Sequence, residues 1–466
     1  MSAFYKNVET GALKAFALLI IALPYGLWGQ KPNPLRAEAP EKGFGKKSPV
    51  AVVESYPGGP KAGAFSVILE HPTVVEKTLY YVSRNNRLAE LNRLKIGMER
   101  PAIVHATAVP AGSPHIDNLT PYPGGLFFTA GPSFNELWRT DGISDAEKIV
   151  SLCKKRCGVC YPQHLNYLRG KLFFAADTGK IGWEPFVGDE KTAKMLADLL
   201  PGYRSSNPKD FVSVKDGVVF VADDPEHGRE LRFTDGVDIR LVKDIHPGKG
   251  GSEPESLTVY ENKVFFSADD GKNGRELWIT DGTEAGTQLF KELFPGRTGS
   301  APKQFTLFKD GFLFTANAPK YGRELWKSDG TLAGTVMTED LYPGPVGSNP
   351  EQLVATERGK AYFTAYVEKQ SGRGVYATDG GFGGATLLKI LPSEDGPEWL
   401  TPVGENAFFY LRNKREIWHT DGTPQFVKRL WKMPKNLEAP YMPVGFGGAL
   451  YFATSDGKAA HLCKTR

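Results

Sequence analysis

One aromatic residue returns along this chain at nearly constant spacing. It stands at Tyr81, Phe128, Phe174, Phe220, Phe266, Phe314, Phe363, Phe409 and Phe452, in steps of 43 to 49 residues. Each copy lies in a short run such as VFFSA (264–268), apolar at nearly every position and closed off by Gly, Asp, Asn or Pro. Such runs are strands packed on both faces. A second series keeps the same period: NELWRTDG (135–142), RELRFTDG (229–236), RELWITDGT (275–283), RELWKSDGT (323–331) and REIWHTDGT (415–423), with weaker copies at GWEPFVGD (182–189) and GVYATDGG (374–381). A third appears in LVKDIHPGKGGSEP (241–254), LFKELFPGRTGSAP (289–302) and TEDLYPGPVGSNP (338–350). Four strand-like runs fall in each period. A unit in the forties with four short strands predicts a propeller blade, whereas helical repeats of that length show apolar spacings of three and four.

The two ends of the chain sharpen this reading. The last repeat supplies ALYFAT (449–454) and AAHLCKT (459–465), and the sequence stops at Arg466 before a fourth strand. A spare strand stands at the front, where PVAVVESYPGG (49–59) aligns with IRLVKDIHPGK (239–249). Pairing it into the last blade closes a ring and removes the free sheet edges. The expected fold is therefore all-β, a β-propeller of about nine four-stranded antiparallel blades; eight is the alternative, because 65–110 diverges from the repeat. Aromatics at 12% with 52 Gly and 34 Pro suit short strands and tight turns. A net charge of +4, spread over 57 basic and 53 acidic residues without a long run of one sign, argues against a nucleic-acid partner.

At the N-terminus, Lys6 and Lys14 precede the apolar run 15–23, which Pro24, Gly26 and Gly29 interrupt. This reads as a signal peptide over 1–29, followed by a linker over 30–48 and the propeller over 49–466. The competing reading, a retained anchor, needs about 20 apolar residues, more than the run offers. The expected location is secreted, cell-surface or periplasmic, with no membrane span after signal cleavage.

With its string RELWITDGTEAGT (275–287), the chain resembles the ELW-x-x-DGT repeat family, also described as hyalin-like repeats, of exported bacterial proteins. The likeness covers nearly everything after residue 48 and is tightest at 276–302 and 324–350. It implies export and a repeat architecture. It supplies no reaction and no catalytic residue.

A ligand is not ninefold symmetric, so residues found in most blades answer a need that every blade has. Trp138, Trp278, Trp326 and Trp418 are expected to fill the seams between blades. Asp141, Asp235, Asp281, Asp329, Asp379 and Asp421 are expected to shape the turn before the fourth strand. Specificity must then come from what differs. The loops after second and fourth strands share one rim, here the upper rim, and those after first and third strands the lower. The upper loops DTGKIG (177–182), DDPEHG (223–228), DDGKNG (269–274) and VEKQSG (367–372) are charged and divergent. Asp223, Asp224, His227, Asp269 and Asp270 are accordingly the expected ligand-binding residues. The two Asp pairs could offer oxygen ligands to calcium, without the spacing of an EF-hand; otherwise no cofactor is implied.

Cysteine is sparse. Cys153, Cys157 and Cys160 are candidates for one local disulfide in an exported protein; the metal alternative adds His164 to make a zinc set. Cys463 aligns with the blade Trp and is expected as a buried free thiol. No G-x-S-x-G, H-E-x-x-H or phosphate-cradling loop is present. The favoured function is an exported non-enzymatic binding or scaffold propeller whose partner is an extracellular protein or polysaccharide. The alternative is a carbohydrate-active enzyme, a glycoside hydrolase or polysaccharide lyase, working in the central funnel through acids drawn from distant blades.

Overall fold

In the computed structural model the described residues are 48–57, 68–85, 88–108, 115–131, 136–152, 162–368, 370, 372–392 and 396–466. They form nine four-stranded antiparallel sheets, the blades of one nine-bladed propeller. Blades 1 to 8 are contiguous, over 68–108, 115–151, 163–195, 209–241, 255–291, 303–337, 351–392 and 397–432. Blade 9 joins 441–465 to the strand Val50–Pro57, which takes the outermost place beside Ala459–Thr465. Its register sets Val52 opposite Cys463 and Tyr56 opposite Ala460. The eight-blade alternative falls, because 68–108 forms a full blade despite its divergent sequence.

The first strands of successive blades touch one another round the ring, and that of blade 9 touches that of blade 1. They therefore line the central channel. In all nine blades the ladder between first and second strands is irregular at the same place. In eight of them a residue there is left-handed: His71, Asn118, His164, Asp210, Ser256, Gln304, Gln352 and Met442, with φ between 53° and 60°. Side chains rarely take that conformation outside a bulge.

The hydrophobic core is divided by seams rather than blades. Nine clusters each join two neighbouring blades; one packs Val219 and Val221 of blade 4 against Phe266 and Trp278 of blade 5. Trp138, Trp278, Trp326 and Trp418 all lie in such clusters, each opposite the recurring Phe of its own second strand. Cys463 stands opposite Phe452, in the Trp position, free and fully buried.

The remaining repeated residues are also used by the scaffold. Asp281 accepts from the amide and hydroxyl of Thr283, and Thr280 accepts the amide of Gly282, whose φ of 91° suits glycine. In blades 3 to 6 the buried carboxylates Glu184, Glu230, Glu276 and Glu324 hold the loop that leads to the next blade. Glu276 accepts from the amides of Leu293, Phe294 and Ser300 and from the Ser300 hydroxyl. Ser206, Ser252 and Ser348 serve the other three in the same way. Glu-Leu-Trp and the later Gly-Ser-x-Pro recur together because one side chain fastens the other. Burial pushes these carboxyls up against the pull of their donors, that of Glu324 to about 7.

Candidate binding site at the mouth of the propeller

Four of the five acidic and imidazole side chains expected on the upper rim are held by their own loops. Asp224 accepts from the amides of Glu226 and His227 and from the His227 ring, and it pairs with Arg232. Arg232 occupies the Trp position of blade 4, opposite Phe220, and is only 5% exposed. Asp224 is thus the counter-ion of a cation buried in a seam. Burial would raise its carboxyl, but those amides, His227 and Arg232 outweigh it and bring it down to about 2. Arginine in RELRF, where other copies have Trp, was the sequence signal for this pair. Asp269 accepts from the amide of Gly271, and Asp270 from the amides of Lys272 and Asn273 and the Asn273 side chain. Their oxygens close turns instead of converging on a shared centre. Among the described residues no group of three or more His, Cys, Asp or Glu could hold a metal ion.

Asp223 differs, because it leads towards the channel. It pairs with Arg229 at 2.9 Å, and Arg229 also donates to the carbonyl of Asn207 at 3.1 Å. Asn207 and Arg229 line a cavity of about 370 Å³ between blades 3 and 4, with Gln163, His164, Ala175, Trp183, Pro208 and Lys209. These residues begin or precede the first and third strands of the two blades, except Ala175 near the end of a second strand, which places the cavity at the channel mouth on the upper rim.

Two differences from other blades mark this seam. In blades 4 to 7, Arg229, Arg275, Arg323 and Arg373 each donate to the carbonyl just before their own first strand: Asn207, Glu253, Ala301 and Asn349. Blade 3 has Trp183 in that place, and an indole has one N–H where a guanidinium has five. At the left-handed position, Asn118, Gln304 and Gln352 donate across the inner seam to the carbonyls of Pro162, Pro350 and Pro397. Blade 3 has His164 there, and neither its imidazole nor the Gln163 amide hydrogen-bonds any described residue. Trp183, Gln163 and Lys209 were not among the residues expected from the sequence. Their signal was GWE in place of GRE at the third repeat.

Other polar groupings suit ligand capture less. At the seam of blades 1 and 2, His71 lies 3.4 Å from Asp117, and Glu70 pairs with Arg84. Ser55, His461 and Asp456 form a line, with Ser55 Oγ to His461 Nδ1 at 3.0 Å and His461 Nε2 to Asp456 at 3.6 Å. Ser55 and His461 are each 1% exposed, so no substrate reaches that hydroxyl. The line joins the N-terminal strand to the C-terminal one. A lower-rim cavity of about 560 Å³ between blades 6 and 7 is walled largely by the repeated turns at Asp329 and Asp379. Cys153, Cys157 and Cys160 lie outside the described residues, as do residues 1–47, where the signal peptide and nearly all of the linker were expected. No helix among the described residues is long and apolar enough to cross a membrane.

No protein-family model matches the chain, and no curated protein sequence does. Among solved structures it is similar to apo AztD from Citrobacter koseri, with a TM-score of 0.42 and 12% identity over 76% of this chain and 93% of that one. It is also similar to a prolyl endopeptidase, with a TM-score of 0.42 and 11% identity over 75% of this chain and 55% of that one. For the propeller domain of the Trilobed protease from Pyrococcus furiosus the TM-score is 0.39 and the identity 12%, over 79% of this chain and 99% of that domain.

Proposed function

We propose that this protein is an exported propeller of the ELW-x-x-DGT kind that captures an extracellular polymer at its upper rim and performs no chemistry on it. The observation that carries this reading is the division of labour among its residues. The repeated Trp, Glu, Ser and Asp are used up in seams, loops and turns, while unrepeated aromatic, amide and imidazole groups gather at one channel-mouth cavity. A cavity of that size with a few convergent polar groups is typical of binding sites. Export rests on the charged and apolar pattern of residues 1–29 and on the family resemblance. Capture also accords with a rigid ring, which holds loop residues in place without ordering them on binding.

The test is a screen of the full chain against cell-surface extract and purified glycans, with hydrolysis and eliminative cleavage of the same material measured alongside. Retention of a surface component without turnover is the expected result. Turnover of any glycan at a rate lost on changing mouth residues would replace capture by catalysis.

A further inference from the structure

We infer that the cavity between blades 3 and 4 is a subsite for one uncharged sugar ring, stacked on Trp183 and hydrogen-bonded by Gln163, His164 and Asn207. This rests on the binding role proposed above and names the ligand class. The argument begins with charge. Both fixed cations at the cavity are already matched, Arg229 by Asp223 at 2.9 Å and Glu253 at 3.8 Å, and Lys209 by Asp210 at 3.8 Å. Burial lowers the pKa of His164, which leaves its ring neutral near pH 7. A carboxylate, sulfate or phosphate would meet no unmatched positive charge.

What the wall offers is hydrogen bonding with no unmatched cation. The Gln163 amide provides donors and an acceptor, and a neutral imidazole provides one of each. Asn207 keeps its side-chain oxygen, Oδ1, as an acceptor while its side-chain nitrogen donates to the Ser205 carbonyl and to Asp223. A hydroxyl both gives and takes hydrogen bonds, and several hydroxyls round one ring would use this set. Trp183 is part-exposed at the same wall. A pyranose matches that combination, because its C–H face is apolar and its hydroxyls lie round its edge. About 370 Å³ holds one or two such rings. Blades 4 to 6 lack the arrangement, since their arginines fill the place of Trp183.

The experiment measures binding of the full chain to immobilised neutral hexose oligosaccharides, to uronic-acid oligosaccharides, and to surface extract before and after periodate oxidation. Trp183→Arg restores the residue of the following blades and should keep the melting temperature; Trp183→Phe keeps a ring; His164→Ala takes the imidazole out of the wall at a left-handed position, so its melting temperature is measured too. The wild type should bind neutral oligosaccharides over uronates. Trp183→Arg should weaken that by about tenfold or more, as loss of a central aromatic anchor does, with Trp183→Phe largely retained and His164→Ala in between. Equal binding by Trp183→Arg, or preference for uronates, overturns the subsite. If the wild type retains periodate-treated extract as well as untreated and binds no neutral glycan, the sugar subsite falls while capture stands. If it retains neither extract nor glycan, capture itself falls.

Discussion

Blades 4 to 6 and blade 9 build the same sheet with different chemistry. In blade 5, Phe266 faces Trp278, and Glu276 two residues earlier fastens a loop no more than 24 positions away. In blade 9, Phe452 faces Cys463, and His461 stands in the glutamate position. Its partner Ser55 is 406 positions distant. The polar residue of the third strand thus changes from holding a local loop to joining the chain's two ends. The seam beside Cys463 recovers the lost tryptophan volume from Trp431, Met433 and Leu437 of blade 8 and its following loop. Local contacts stabilise the arc blade by blade, whereas closure must offset the entropy of bringing remote segments together.

The largest test of that contrast removes the remote partner. Deletion of residues 40–60 takes away the outer strand of blade 9 and exposes the edge of Ala459–Thr465. Cooperative unfolding should be lost in calorimetry. A truncated chain that melts like the full one would show that the arc stands without closure.

Next come Trp278→Ala and Trp326→Ala, each expected to cost about 3–5 kcal/mol in denaturant titrations as truncations of filled seams. Binding per folded molecule should be unchanged. Lost binding with unchanged stability would turn these residues into ligand platforms. Glu276→Ala strands the amides of Leu293, Phe294 and Ser300 and should cost about 1–3 kcal/mol. Hydrogen exchange in 289–302 should rise while blade 9 stays protected.

Closure has its own pH dependence. Burial, against the pull of Asp456, lowers the pKa of His461 below its ordinary value near 6.5. The folded state therefore binds fewer protons than the unfolded one, so this contribution is present above about pH 6.5 and is lost as pH falls further. The melting temperature should drop between pH 7 and pH 5, and His461→Gln should flatten that slope. An unchanged slope in the variant would assign the drop to another group. The smallest effect belongs to Asp269→Asn, whose carboxylate closes one surface turn. It should shift stability within about 0.5 kcal/mol and leave sugar binding as in the wild type.

Much of the fold was legible because a blade is a local object. Period, strand pattern and turn residues lie within one repeat, and the unmatched strands at the two ends predicted closure. Even divergent blade 1 kept a trace, since Glu90-Leu91 holds the Glu-Leu positions, with Asn92 where Trp belongs. Cys463 was legible in the same way, since it aligns with the blade Trp and stands opposite Phe452.

The site was less legible, because it is defined by exceptions whose meaning lies across a seam. From sequence, Asp224 and Asp270 are alike as second acids of similar loops. Only packing reveals that one answers Arg232 in the neighbouring strand while the other closes its own turn. Trp183 and His164 are 19 positions apart, and Arg229 lies on the next blade. The sequence by itself determined a closed ring of about nine blades, their strands and the closing pair, since those depend on neighbours within a repeat or on a simple deficit at the ends, while the structure decided for nine by making 68–108 a full blade. Tertiary structure alone decided that Trp183, His164 and Arg229 share one cavity, because the ring brings together residues from separate blades.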